Sequence, residues 1–84
     1  MMDYQLSDTV DMMLSSDYKE RFRAEYLQAR IRKDKLASLI KRNAEGKLDF
    51  VPACPIALLI EQYHVMSKLC SIYEERARIE EISL

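Results

Sequence analysis

Glycine is nearly missing from this 84-residue chain, which has one glycine and two prolines. With a single glycine, the chain cannot form the glycine-rich loops that cradle phosphates in many nucleotide-binding enzymes. No glycine or proline occurs between Asp17 and Ala44, and helix-forming residues dominate there. The scarcity therefore favours long, uninterrupted helices.

Cysteine and histidine are also scarce, because the chain has only Cys54, Cys70 and His64. These three residues are not spaced like metal ligands, so we expect neither a metal site nor a cofactor. The sequence also lacks a suggestive Ser–His–Asp or Cys–His arrangement and a carboxylate pair in a plausible cleft. We therefore expect no enzymatic activity and assign no catalytic residue.

Long apolar runs are missing as well. The longest candidate near the start, Met12 to Leu14, is too short for a signal peptide or a membrane span. We therefore expect no membrane association and a cytoplasmic location with reduced thiols. A chain of this size has a thin core, and without disulfides or a metal we expect oligomerisation to supply further buried area.

What is present predicts an all-α fold with a single domain. We expect a short N-terminal arm with a helix (residues 1–15), a helix over 17–44, a connector over 45–54 and a second helix over 55–82. Asp17 is placed to cap the first helix, Gly46 to end it, and Pro55 suits the first turn of the second. A connector of about ten residues favours an antiparallel helical hairpin.

The second helix has two apolar rows. The first row repeats at alternating spacings of three and four and predicts the seam with the first helix: Ile56, Leu59, Tyr63, Met66, Cys70, Tyr73 and Ala77. The other row lies beside it: Leu58, Val65, Leu69, Ile72 and Ile79. One partner helix cannot cover both rows, so we predict a homo-oligomer, either a dimer of hairpins or a larger assembly.

The first helix has most of the positive charge. Between Tyr18 and Arg42 there are nine basic and three acidic residues, a local balance of +6 in a chain whose net charge is −1. Its apolar seam is narrow and consists of Tyr18, Phe22, Ala29, Leu36 and Ile40. At about 100° per residue, Lys19, Arg23, Arg30 and Lys41 follow one edge of that seam, and Arg21, Glu25 and Arg32 follow the other.

Two interpretations of this basic helix stay open. In the first, the charges give only a solvated surface and the aromatic rings only pack in the core. Alternatively, arginine and lysine beside aromatic rings hold a small phosphorylated ligand that contains a base. Extended nucleic acid is disfavoured, since the rest of the chain sums to −7 and would repel a polyanion. The candidate binding residues are Tyr18, Lys19, Arg21, Arg23, Tyr26, Arg30 and Arg32.

The segments DYKERFRAEYLQARIRKDKL, TVDMMLSSDYKERF, GKLDFVPACPIALLIEQ and EERARIEEISL together cover nearly the whole chain. In them the sequence resembles a family of small phage and prophage proteins that is named after a gene of a crAss-like phage. The resemblance implies viral origin and thus the cytoplasm of an infected bacterium. In size, hairpin layout and composition the chain also resembles the anti-CBASS and anti-Thoeris sponges, which sequester cyclic nucleotide immune signals; this likeness is architectural.

These observations favour an immune-evasion sponge that binds a cyclic di- or trinucleotide without cleaving it. In this hypothesis Lys19, Arg23, Arg30 or Arg32 hold phosphates, and bases stack on Tyr18 or Tyr26. The alternative is a protein-interaction module that binds a host protein through the apolar face of the second helix. A third hypothesis, a nucleic-acid-binding accessory protein, predicts an affinity that falls steeply with salt.

Overall fold

The computed structural model describes residues 4–84, so the first three residues of the predicted arm lie outside the described residues. A 3₁₀ turn (Leu6–Thr9) leads into α1 (Val10–Met13), followed by the long helices α2 (Tyr18–Ala44) and α3 (Ile56–Glu80). The long helices pack antiparallel, since the start of α2 lies beside the end of α3. The predicted all-α hairpin with a short N-terminal helix is confirmed.

The ends of the helices follow from local sequence, with one exception. Asp17 caps α2 by accepting a hydrogen bond from the Lys19 amide at 3.0 Å, and Gly46 adopts a φ of +68° just after the helix ends. The exception is Glu81, which adopts a φ of +58° although it is not glycine. This left-handed residue stops α3 at Glu80, and the Ile82 amide then donates to the Ala77 carbonyl at 2.8 Å.

The core lies at one end of the hairpin. The Phe22 and Tyr73 rings meet edge to face with centroids 5.6 Å apart, and Tyr26 approaches Tyr73 at 6.3 Å. The Arg76 guanidinium covers the Phe22 ring at 4.8 Å from its centroid, a cation–π contact. The buried residues of the described chain are Thr9, Phe22, Ala24, Tyr26, Leu27, Cys70, Ala77 and Ile82.

The N-terminal arm packs on α2 and supplies a third layer to this core. Gln28 donates from Nε2 to the buried Thr9 hydroxyl at 3.0 Å, and that hydroxyl donates to the Leu6 carbonyl at 2.7 Å. Met12 packs against the cluster that contains Leu27. The start of α2 is therefore held between the arm on one side and α3 on the other.

The two apolar rows of α3 have different environments. Every residue of the predicted seam is buried or half-buried, because this row faces α2. The five residues of the other row are 40–65% exposed. No helix within residues 4–84 has the length and apolar character needed to cross a membrane.

Candidate ligand-binding groove

The seven predicted site residues all lie between Tyr18 and Arg32 of α2, but the structure does not bring them into one pocket. They contact the core, the C-terminal tail that follows α3, the loop before α2, the N-terminal arm or the surface near α3, and some of them contact two of these. Their positions follow from the helical geometry of α2, whose successive side chains point to different neighbours.

Tyr26 lies in the core, with 4% of its surface exposed. Its hydroxyl donates to Glu74 Oε2 at 2.7 Å, and burial together with this hydrogen bond raises the pKa of Tyr26 to about 12. In the single chain, neither face of the ring is open to a stacking base. Tyr26 therefore acts as a core residue, and it also contributes to the wall of a small cavity.

Tyr18 is half-exposed, but its hydroxyl is used within the hairpin. The hydroxyl donates to Glu80 Oε1 at 2.8 Å and accepts from Arg76 Nη2 at 3.0 Å. The hydrogen bond to Glu80 raises the pKa of Tyr18, and the same bond lowers the pKa of Glu80. These contacts join the start of α2 to the end of α3.

Lys19 and Arg23 both contact the tail that follows α3. Lys19 Nζ donates to the Glu81 carbonyl at 3.4 Å, and Arg23 Nε donates to the Ser83 carbonyl at 2.6 Å. Both carbonyls follow the end of α3 at Glu80, and cations are favoured near the negative, C-terminal end of a helix dipole. The two side chains therefore have a structural role, although Arg23 uses only one of its five N–H groups in this contact.

Arg21 and Arg32 do not form the ion pairs with Glu25 that their positions suggest. Arg21 Nη1 donates instead to the Ser15 carbonyl at 2.9 Å, and within residues 4–84 Glu25 has no ion pair within 4.0 Å. Arg32 borders a shallow surface between α2 and α3 that is mostly apolar and includes Leu36 and Leu59. Neither arginine lines the cavities that Arg23 and Arg30 line.

Arg30 lies in the groove that we call the Tyr4 groove, which runs between the N-terminal arm, α2 and the tail. It consists of a cavity of about 210 Å³ and a smaller one of about 40 Å³, and both are lined by Tyr4 and Leu27. The remaining wall residues of the two cavities are Met12, Arg23, Tyr26, Arg30, Ile31, Asp34, Lys35 and Leu84. Three cationic side chains and one half-exposed tyrosine thus share this groove.

One acidic residue, Asp34, moderates the charge of the Tyr4 groove. Arg30 Nε lies 4.0 Å from Asp34 Oδ2, and Lys33 Nζ lies 3.7 Å from Oδ1. Such exposed ion pairs contribute about 1 kcal/mol or less. A phosphate, which forms stronger charge-assisted hydrogen bonds with arginine, can therefore compete for Arg30.

Sequence reasoning missed Tyr4, Asp34 and Lys35. The two residues on α2 could have been found. Leu27, Ile31 and Lys35 recur at i, i+4 and i+8 along one side of the helix, and Asp34 lies at i+4 from Arg30. Tyr4 gave no such signal, since its position depends on how the arm packs against α2. Within residues 4–84, no group of three or more His, Cys, Asp or Glu side chains is arranged to hold a metal ion.

Comparison with known proteins gives one family. The Sequestin family model matches residues 16–79, a range that includes both long helices apart from the last residue of α3, but not the arm with Tyr4. No curated protein and no solved structure matches the chain at a significant level. The match does not extend to the crAss-like phage gene, so that link stays a prediction. With most of its length matched, the chain belongs to the Sequestin family.

Proposed function

We propose that this protein binds and sequesters a small phosphorylated signal that contains a base, with a cyclic di- or trinucleotide as the ligand class. The observation that carries the proposal is the Tyr4 groove, where an exposed aromatic ring shares one surface with Arg23, Arg30 and Lys35. The name of the Sequestin family supports a role in sequestration. In an infected bacterium, such binding would serve immune evasion.

Each chemical part of such a ligand has a matching group in the groove. Arg30 can hold a phosphate through two N–H groups at once, and the Lys35 ammonium adds a point charge beside it. The Tyr4 ring offers a stacking face for a base. Asp34 can accept a hydrogen bond from an exocyclic amine of that base, which gives this acidic residue a role among the cations.

The residues that line the groove support binding without cleavage. None of the wall residues is a cysteine, histidine or serine, so the commonest nucleophiles are missing from the groove. Its one carboxylate side chain, Asp34, already lies within 4.0 Å of Arg30 and Lys33. Sequestration needs only mass action: the protein must exceed the signal in concentration and bind it more tightly than the host receptor does.

Isothermal titration calorimetry with cyclic dinucleotides and cyclic trinucleotides tests this proposal, with linear ADP as a one-base comparison. We expect the R30Q variant to weaken binding about 10- to 100-fold, because it removes a charge-assisted hydrogen bond. The Y4A variant should weaken binding about 5- to 100-fold through lost stacking. R42Q is the matched control, since it removes the same charge from an exposed position at the far end of α2.

Three outcomes would contradict the proposal. If none of the nucleotides binds at micromolar concentration, there is no sequestration of this ligand class. If R42Q weakens binding as much as R30Q, general positive charge rather than the Tyr4 groove holds the ligand. If altered nucleotide is recovered after incubation, the protein is an enzyme.

A second candidate function rests on the exposed apolar row of α3, whose residues could bind a host protein. In that case the basic helix would serve only solubility. A pull-down from host lysate that yields one stoichiometric host protein, and loses it when V65D is used as bait, would favour this function. Unchanged capture by V65D would exclude the row as its binding surface.

A further inference from the structure

The outer face of α3 is wider and more apolar than a solvent-exposed helix face needs to be. We call the apolar side chains of this face the outer row, and within residues 4–84 no other segment packs over them. The row continues at the start of α3 into the connector, where Phe50 and Val51 are also exposed. The outer row consists of Leu58, Val65, Leu69, Ile72 and Ile79, which are 40–65% exposed. An apolar surface of this extent marks an interaction site.

The charges beside the outer row indicate what covers it. Glu61, Lys68 and Glu75 follow one edge of the row at heptad spacing, so their charges alternate along α3. Glu75 is already paired with Arg78 on the same helix. Among the ion pairs of residues 4–84, neither Glu61 nor Lys68 has a partner within 4.0 Å.

We propose that a second copy of this chain covers the outer row, with the two α3 helices antiparallel and the two-fold axis at Val65. In this register Val65 meets the partner's Val65, and Leu58 meets Ile72 of the partner subunit. Glu61 then lies beside the partner's Lys68, and the symmetry forms this pair twice. A two-fold interface needs such self-complementarity, and these two charges supply it without breaking any ion pair of the single chain.

Neighbouring registers fit less well. An axis at Lys68 would place this lysine beside its own copy and would place Glu61 beside the partner's Glu75, so both contacts would be repulsive. An axis at Ile72 would bring Lys68 to the partner's Glu75, which Arg78 already holds. That register would also leave Leu58 uncovered. The axis at Val65 is therefore the register favoured by both charge and burial.

In the same register, the partner subunit covers the exposed part of the connector. Val65 is nine residues from the start of α3, whereas Ile79 is fourteen residues from Val65. At 1.5 Å per residue, the partner's Ile79 reaches about 7 Å beyond the first residue of α3. It thus arrives over the connector, where Phe50 and Val51 are exposed. The apolar surface of the connector and the end of the outer row cover each other.

Sedimentation equilibrium of the whole chain without ligand tests the proposal. We expect twice the chain mass of 9.9 kDa at tens of micromolar. E61K and K68E should each weaken the dimer about tenfold or more, since each puts like charges together at two symmetric places. The double variant E61K/K68E should restore dimerisation, which a merely disruptive substitution would not do. Circular dichroism checks that these exposed substitutions leave the helices intact.

Cysteine cross-linking tests the position of the axis. Under mild oxidation, V65C should form a disulfide-linked dimer, because the two copies of residue 65 meet at the axis. I72C should not form one, since Ile72 meets Leu58 of the partner subunit. The parent chain, with Cys54 and Cys70, is the control and should stay without an intermolecular cross-link.

A monomeric parent chain, efficient cross-linking of I72C instead of V65C, or a double charge variant that stays monomeric would overturn the proposal. None of these measurements involves a nucleotide, so the dimer can fail while the ligand proposal holds, and the reverse. If the parent chain is monomeric but captures one host protein through the outer row, the second candidate function takes its place.

Discussion

The two ends of the hairpin differ in how completely they are packed. At the tail end, where the first half of α2 meets the second half of α3, the core contains three aromatic rings and every buried residue of the described chain. At the connector end no residue is buried; within residues 28–69 every side chain is half-buried or exposed. The same two helices thus form a core at one end only.

The difference comes from the number of segments that meet. At the tail end the arm covers one side of α2 and Ile82 folds back into the core, so α2 is enclosed by more than one neighbour. At the connector end α2 and α3 have only each other, and two helices can bury only the strip between them. A short chain therefore needs a third segment, or a second subunit, wherever it is to have a core.

The largest expected effect comes from removing one aromatic ring at each end. Phe22 is 1% exposed, whereas Phe50, in the connector, is 50% exposed. F22A should lose about 3–5 kcal/mol of unfolding free energy through cavity formation and lost ring contacts. F50A, which deletes the same atoms, should lose about 1 kcal/mol or less at protein concentrations too low for dimerisation. Urea denaturation followed by circular dichroism measures both variants.

Equal losses for F22A and F50A would contradict the contrast between the two ends. A large loss for F50A that grows with protein concentration would instead indicate that the connector is covered in a dimer, as the proposed register requires. Measurements at two protein concentrations separate these outcomes.

A smaller effect should appear at alkaline pH and should depend on Tyr26. The folded state raises its pKa from 10.0 to about 12, so folding favours the protonated phenol. This contribution is fully present below pH 10 and is lost as the pH rises through about 12; the shift corresponds to about 2–3 kcal/mol. We expect the unfolding free energy of the parent chain to fall over this range.

Y26F should show a shallower alkaline fall, because it lacks this phenol. Some slope should remain, since the hydrogen bond to Glu80 raises the pKa of Tyr18 and burial raises that of Tyr73. The comparison is a pair of urea titrations at several pH values between 9 and 12. Parallel pH profiles for the two proteins would contradict the effect assigned to Tyr26.

The smallest expected effect concerns the last turns of the two long helices. Gly46 after α2 and Glu81 after α3 both have positive φ, at 68° and 58°. G46A should destabilise the protein by about 1 kcal/mol, because a Cβ is disfavoured in this conformation although no atom lies within 4 Å of it. E81G should stabilise by about 0.5–1 kcal/mol for the same reason. Opposite signs in thermal melting would confirm the prediction.

Most of the helical architecture could be predicted because it depends on local patterns. The row from Ile56 to Ala77 identified the face of α3 that meets α2, and Asp17 and Gly46 marked the ends of α2. The end of α3 was placed at residue 82 instead of Glu80. A left-handed glutamate has no sequence signal, because the fold imposes its conformation when Ile82 packs into the core.

The candidate site was predicted less completely than the fold. Arg23 and Arg30, two of the predicted binding residues, lie in one groove. The sequence pattern of α2 alone does not tell whether the rings of Tyr18 and Tyr26 are open to a stacking base. Which ring is covered depends on the packing of α3 and of the arm, and these are contacts between distant parts of the chain. The position of Tyr4 could not be predicted for the same reason, since only tertiary packing places it beside α2.

The two cysteines lie one at each end of the hairpin, so the chain contains its own pair of chemical reporters. Cys70 is buried in the aromatic core, where burial raises the pKa of its thiol, whereas Cys54 is only half-buried in the connector. Alkylation of Cys54 would then report fast local fluctuations, and alkylation of Cys70 would require the core to open. The ratio of the two rates would measure how independently one end of the hairpin unfolds while the other stays intact.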